Sequence, residues 1–142
     1  MAVVAAVDRS DQAKAVVREA ESLATAFEED LYVVHVMTRS EFTDIQRNHT
    51  EETGTAVDME TISKLAAEYA EEATVDIDVP HESLGLVGDP SSRVIEFADE
   101  RDARYIVTGG RKRSPTGKAV FGSVSQSIIL NADTTVVSTV GK

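Results

Sequence analysis

The sequence predicts an α/β protein: a single-domain, doubly wound, five-stranded parallel sheet in the strand order 3-2-1-4-5, with helices on both faces. Two observations carry that expectation. Apolar, β-branched runs alternate with amphipathic helical stretches along all 142 residues, in the order β-α-β-α-β-α-β-α-β. The runs are continuously apolar, which marks strands buried on both faces and hence a parallel sheet. Right-handed crossovers then wind the sheet in both directions. One domain spanning 1–142 is expected from the length, and a domain of this size buries about 70% of the surface its unfolded chain exposes.

The elements follow in order. Ala2 to Val7 is the first strand run. From Asp11 to Phe27, the residues Ala13, Val16, Val17, Ala20, Leu23, Ala24 and Phe27 recur at helical spacing. Leu31 to Val36 is a second strand, and the polar stretch 38–50 shows no clear period and reads as a loop. Glu51 to Thr74 places Met59, Ile62, Leu65, Ala66, Tyr69, Ala70 and Ala73 on one helical face. A weaker strand lies within Ile77 to Val87. Asp89-Pro90 opens a helix, with Asp capping free N–H groups and Pro at the first helical position, and Val94, Phe97 and Ala98 face its core. Arg104 to Thr108, a helix over Val124 to Leu130, and Thr134 to Val140 complete the pattern.

Composition narrows the function classes. The chain carries 25 acids against 14 bases, a net charge of −11, and no Cys. An acidic body argues against general nucleic-acid binding, which wants a basic face. An acid-rich surface with few Lys is also the pattern of proteins adapted to high intracellular salt, a halophilic-type acidic protein. Met1-Ala2-Val3-Val4 enters an apolar run without the basic start of a signal peptide. No apolar stretch approaches the ~20 residues of a membrane helix. A cytoplasmic protein is expected.

Against that background Gly109 to Ser123, GGRKRSPTGKAVFGS, stands out. It carries four bases and no acid, so the rest of the chain holds −15 of a total of −11. It joins a strand to a helix at the carboxyl end of the fourth strand, where doubly wound sheets bind ligands. Phosphate binding wants glycine, so that backbone N–H groups approach oxygen closely, and a helix N-terminus. Gly122-Ser123-Val124-Ser125 supplies that start, with Ser123 and Ser125 as hydroxyl donors, and Ser123 with Gln126 also matches a capping box. The loop is neither a P-loop nor a dinucleotide Gly-x-Gly-x-x-Gly. Asp8 is open to a capping role on the first helix, with Ser10 as competitor. His35 reads as a satisfied core residue. His49 and His81 lack ligand-like spacing, and no metal site is expected.

These residues carry a resemblance. Gly109, Gly122 and Ser123 match the Gly-x2-Gly-x9-Gly-Ser/Thr pattern of the universal stress protein family, with Lys112 where the second glycine belongs. The opening VVAAVDRSDQA with Asp8, the second strand ending His35-Val36, and Gly88-Asp89-Pro90 are similar to that family as well, so the resemblance covers the whole chain. It implies an adenine nucleotide, ATP or AMP, with Mg²⁺ held through the phosphates. Ala6, Val7 and Asp8 would line the adenosine side and Val36 would meet the adenine. Thr108, Gly109 and Arg111 would follow the ribose and phosphates, Lys112 would pair with phosphate as a point charge, and Gly122, Ser123, Val124 and Ser125 would hold the phosphates.

The expected function is regulation of a stress response by an adenine-nucleotide-binding protein, without catalysis, since no general base is evident. Two alternatives stand beside it. One is a dimeric interaction module whose basic loop binds inorganic anions or a protein. The other is slow ATP hydrolysis or self-phosphorylation on Ser123, Ser125 or Thr116. A homodimer through the edge strand Thr134-Val140 is expected, because an open apolar edge invites pairing and the resembled family commonly pairs there. Proline at Val137 is expected to block it.

Overall fold

The computed structural model describes residues 1–110, 115–118 and 121–140. Five strands, β1 (Ala2–Ala6), β2 (Asp30–Met37), β3 (Glu82–Val87), β4 (Ala103–Gly109) and β5 (Thr135–Thr139), form one sheet in the order β3-β2-β1-β4-β5. Every pairing is parallel. The helices are α1 (Ala13–Phe27), α2 (Arg39–Thr53), α3 (Met59–Glu72), α4 (Pro90–Glu100) and α5 (Ser123–Asn131).

Burial on both faces accounts for the unbroken strand runs. Val3, Ala5, Leu31, Val33 and Val107 pack under α1 and the end of α3, with Val16, Val17, Ala20 and Ala70. Val4, Val34, Val36 and Ile106 point the other way, against Val94, Phe97 and Ala98 of α4 and Ile128 of α5. Alternate residues of one strand therefore feed two cores. At the amino ends of the strands, the largely buried Glu29 carboxylate holds Arg104 at 3.0 Å and the Met1 ammonium at 3.3 Å.

Three expectations are corrected. Residues 38–50 are not a loop but most of α2. Its signal is a capping box, in which Thr38 accepts from the Glu41 N–H and Glu41 accepts from Thr38, and Gly54 closes it in a left-handed C-cap. No residue of α2 is fully buried, so it shows no apolar period to read. The helix expected from Glu51 is therefore two helices: α3 starts only at Met59, capped by Asp58, and Met59 itself is exposed. Phe27, placed on the core face of α1, is also exposed and covers Tyr105 at a ring separation of 5.6 Å.

The Asp89-Pro90 helix start is as expected: the Asp89 side chain accepts from the Ser92 N–H and hydroxyl and from the Ser91 hydroxyl. The Ser92 hydroxyl bond, then the Ser92 N–H and Ser91, hold the Asp89 carboxyl below its ordinary range. A carboxyl depressed in the folded state contributes stability above its unfolded pKa, near 4, and loses it as pH falls through the folded value. Asp89→Asn should therefore melt below the wild type at pH 7, with the gap closing as pH falls below about 4. Thermal melts across pH 2–7 (the range bracketing ordinary carboxyls, roughly 4) check this, and a gap that persists at the acid end contradicts it.

Candidate functional site

A cleft of about 200 Å³ opens at the carboxyl ends of β1, β2 and β4. The sheet order places it there: β1 leads to α1 and β4 to α5 on opposite faces, and the two strands are neighbours, so the chain departs in opposite directions and leaves a gap. Nine of the expected site residues line it, namely Ala6, Val7 and Asp8 after β1, Val36 on β2, Thr108 and Gly109 on β4, and Gly122, Val124 and Ser125 at α5. Ser123 is the exposed first residue of α5 and is not among the lining residues. Arg111 and Lys112 lie outside the described residues.

The cleft has two chemically different ends. On the β4 side stands the start of α5. Gly122 occupies its N-cap position and has no side chain to offer, so the first-turn amides are not satisfied by their own cap. The capping box expected from Ser123 and Gln126 does not form. The helix begins one residue earlier than that motif requires, and Gln126 donates instead to the Phe121 carbonyl at 3.0 Å. Ser125 also differs from expectation. Its hydroxyl donates to the Gly109 carbonyl at 2.8 Å and, with its proton so used, accepts from Thr108 at 2.8 Å. The pair ties α5 to the end of β4, and among the described residues it is the Ser125 backbone N–H, not its hydroxyl proton, that is left to donate to a ligand.

On the β1 and β2 side stand two carboxylates, Asp8 and Glu41, with Thr38, Pro90 and Val94. Asp8 does not cap α1, which starts at Ala13 behind an N-cap Gln12. It braces its own turn, accepting from the Ser10 N–H at 2.9 Å and hydroxyl at 2.5 Å through Oδ1. Glu41, Thr38, Pro90 and Val94 are cleft residues that the strand pattern alone does not reveal. The capping box directly after β2 is the signal that places Thr38 and Glu41 at its carboxyl end.

His35 has an effect beyond filling the core. It is buried, and its Nδ1 donates to the Val7 carbonyl at 3.0 Å, while Nε2 has no partner among the described residues. It is thus half satisfied. The Val7 N–H bonds the Val34 carbonyl at 2.9 Å, so Val34 faces β1, and by strand alternation Val36 faces the same way. Continued pairing would give the Val7 carbonyl to the Val36 N–H. The imidazole takes it instead, and among the described residues neither Val36 backbone group has a ladder partner on that side. A backbone donor and an adjacent acceptor are left at the cleft.

Among the described residues no His, Asp and Glu side chains cluster as a metal site. No helix among them is long and apolar enough to cross a membrane.

Comparison with known proteins matches residues 1–138 to the model of the universal stress protein family. A universal stress protein of Methanocaldococcus jannaschii is 26% identical over 137 residues, covering 92% of this chain and 76% of the relative. The solved universal stress protein from Archaeoglobus fulgidus is 34% identical, covers 97% of each chain and superposes with a TM-score of 0.67. A structure of the Archaeoglobus fulgidus protein in complex with dAMP is 29% identical, covers 97% of this chain and 96% of that one, and has a TM-score of 0.62.

Proposed function

We propose, because this chain belongs to the universal stress protein family, that it binds an adenine nucleotide in the β1–β2–β4 cleft and acts as a nucleotide-dependent regulator of a stress response. The observation that carries this is the polarity of the cleft. Carboxylates and free backbone groups of β2 stand at one end, and the uncapped start of α5 at the other. A base and ribose want hydrogen-bonding acceptors and an apolar wall, which Asp8, Val36, Pro90 and Val94 offer. Phosphates want backbone N–H groups at a helix start, which Gly122 to Ser125 offer. The dAMP complex of the Archaeoglobus protein supports an adenine base. The same reading takes Arg111 and Lys112 to the phosphates, ATP or AMP as ligand, and Mg²⁺ as a companion held through the phosphates. It assigns no catalysis, because among the described residues no side chain at the phosphate end is placed as a general base. The working location is the cytoplasm, and the acidic surface suits high salt.

Binding acts by population shift: a nucleotide that contacts the loop after β4 favours one arrangement of the surface a partner reads. Native mass spectrometry of the protein as purified separates the readings. A retained adenine nucleotide supports this one, a bare dimer favours the anion- or protein-binding module, and an 80 Da adduct favours self-phosphorylation.

If Lys112 serves the phosphates as a point charge, Lys112→Gly should lower ATP affinity or leave it little changed, and should reduce its dependence on salt, since exposed charges are screened within about 10 Å at 0.1 M. Titrations at two salt concentrations test this. A variant binding more than tenfold tighter, about 1.4 kcal/mol, contradicts the assignment and marks Lys112 as an obstruction.

The homodimer uses the open edge of β5. The Thr139 carbonyl accepts from the Gly110 N–H, so Thr139, and by alternation Val137, face β4. Proline at Val137 would break the intrachain ladder. Val136 and Ser138 face the open edge, and Ser138→Pro removes an outward donor without touching β4. The wild type should be a dimer at micromolar concentration by light scattering, and the Ser138→Pro protein a folded monomer. A monomeric wild type contradicts the assignment.

A further inference from the structure

We infer that Glu41 is the residue by which this cleft selects a purine carrying an amine at its six position. The inference rests on the adenine-nucleotide reading above and names a determinant within it. Three observations place it. Glu41 lines the cleft at the β2 end, beside Thr38, and Pro90 and Val94 line the same cleft. Its Oε1 is fully engaged, accepting from the Thr38 hydroxyl at 3.1 Å and from the Thr38 N–H at 3.4 Å. Among the described residues its Oε2 accepts nothing.

The carboxylate is therefore fixed in place through one oxygen and open through the other. The Thr38 hydroxyl is partly used, accepting from the Glu41 N–H at 3.1 Å and giving its proton to Oε1, and it carries no charge, so the carboxylate is the stronger acceptor. Oε2 is not among the buried unpaired atoms, so water serves it in the open cleft and a ligand that displaces the water must replace its donor. A carboxylate only accepts, so the ligand atom that meets it must donate. The base end of the cleft holds two acceptors, the Val36 carbonyl and Glu41 Oε2, and one backbone donor, the Val36 N–H. The six-position edge of adenine offers the complement: an amine with two protons beside a ring nitrogen that accepts. Hypoxanthine puts a carbonyl where the amine stands and a proton on the ring nitrogen. That places acceptor against acceptor at Glu41 and donor against donor at Val36. A site built to bond one group rejects the analogue that leaves its polar atoms unpaired.

Glu41 and Val36 are separable. The backbone of Val36 is unchanged by substitution elsewhere, whereas Glu41→Gln replaces one acceptor oxygen by a donor NH₂. Glutamine also serves in a capping box, so α2 should be retained, and a melting temperature equal to the wild type's confirms it. The experiment titrates AMP and IMP into the wild type and into Glu41→Gln by calorimetry, with competition to read the weaker ligand. The wild type should bind AMP at least tenfold tighter than IMP, and Glu41→Gln should reduce that ratio at least fivefold by losing AMP affinity, gaining IMP affinity, or both. A wild-type ratio near one overturns the inference. So does a large ratio that Glu41→Gln leaves unchanged, since Val36 alone then reads the base. Either result leaves nucleotide binding standing. A wild type that binds neither AMP, IMP nor ATP instead removes the nucleotide reading and this inference with it.

Discussion

Gly122→Val is expected to weaken ATP binding about 100-fold, about 2.7 kcal/mol, in a protein that still folds. Gly122 sits at the N-cap of α5 and lines the cleft. Its backbone, at φ −71° and ψ 166°, is extended and open to any residue, so valine brings no conformational strain there. What valine does bring is two methyl groups at the point where phosphate oxygens must approach the first-turn amides. Valine is a poorer N-cap than glycine, so α5 should lose about 0.5–1 kcal/mol, too little to unfold the domain. Calorimetry with ATP and circular dichroism decide the matter together. A folded variant with wild-type affinity removes the phosphate role from this helix start.

Gly85→Ala is expected to produce the largest loss of stability, about 3 kcal/mol, or roughly 10 °C in melting temperature for a domain of this size. Gly85 lies in the middle of β3, where α3 crosses it without a gap. A Cβ there would stand 2.2 Å from the Ser63 carbonyl oxygen, 2.5 Å from the Ala67 nitrogen and 2.6 Å from the Ala66 Cβ. Two of those three atoms are helix backbone, so no side-chain rotation relieves the clash and α3 must move as a body. Gly85 packs against the fully buried Ala66 because small residues on both elements let them touch. A melting temperature within two or three degrees of the wild type, less than about 1 kcal/mol, would show that α3 can shift cheaply.

The fold was legible because its strongest signals are buried on both sides. Val3-Val4-Ala5 and Val33-Val34 are apolar without interruption, since neighbouring residues serve different cores, and that pattern admits few sheets other than a parallel one. α2 escaped because periodicity reports burial, and none of its residues is fully buried. Phe42 and Ile45 only flank a small cluster around Met37 and Ile62. Its ends were nonetheless written in the sequence, by Thr38 and Glu41 at the start and Gly54 at the stop.

The candidate site divides the same way. Asp8 and Gly109 were accessible from the rule that ligands gather at carboxyl strand ends and Gly122 from the glycine-rich loop, whereas Val36 and Thr108 were named only through the resemblance to the family. Glu41 and Pro90 were not, although the Thr38–Glu41 capping box and the Asp89-Pro90 helix start are both local signals: only the sheet order brings those two helix starts to one cleft. The Ser123 cap failed for a physical reason too. Ser-x-x-Gln is a local pattern, and the helix start was decided instead by Ser125, whose hydroxyl ties the first turn to β4 through Thr108 and Gly109. The same tie took the Ser125 hydroxyl away from its expected ligand role. His35 is the converse case, a core residue by pattern whose hydrogen bond to Val7 leaves Val36 open.

The central claim is that the cleft between β1, β2 and β4 holds an adenine nucleotide. Isothermal titration of ATP and AMP into the purified wild type, with GTP as control, tests it most directly. Saturable binding of ATP or AMP at one site per chain, tighter than GTP by at least tenfold, about 1.4 kcal/mol, is the predicted result. No heat with either adenine nucleotide, in a protein shown by its melting curve to be folded and by native mass spectrometry to carry no bound nucleotide, would contradict it.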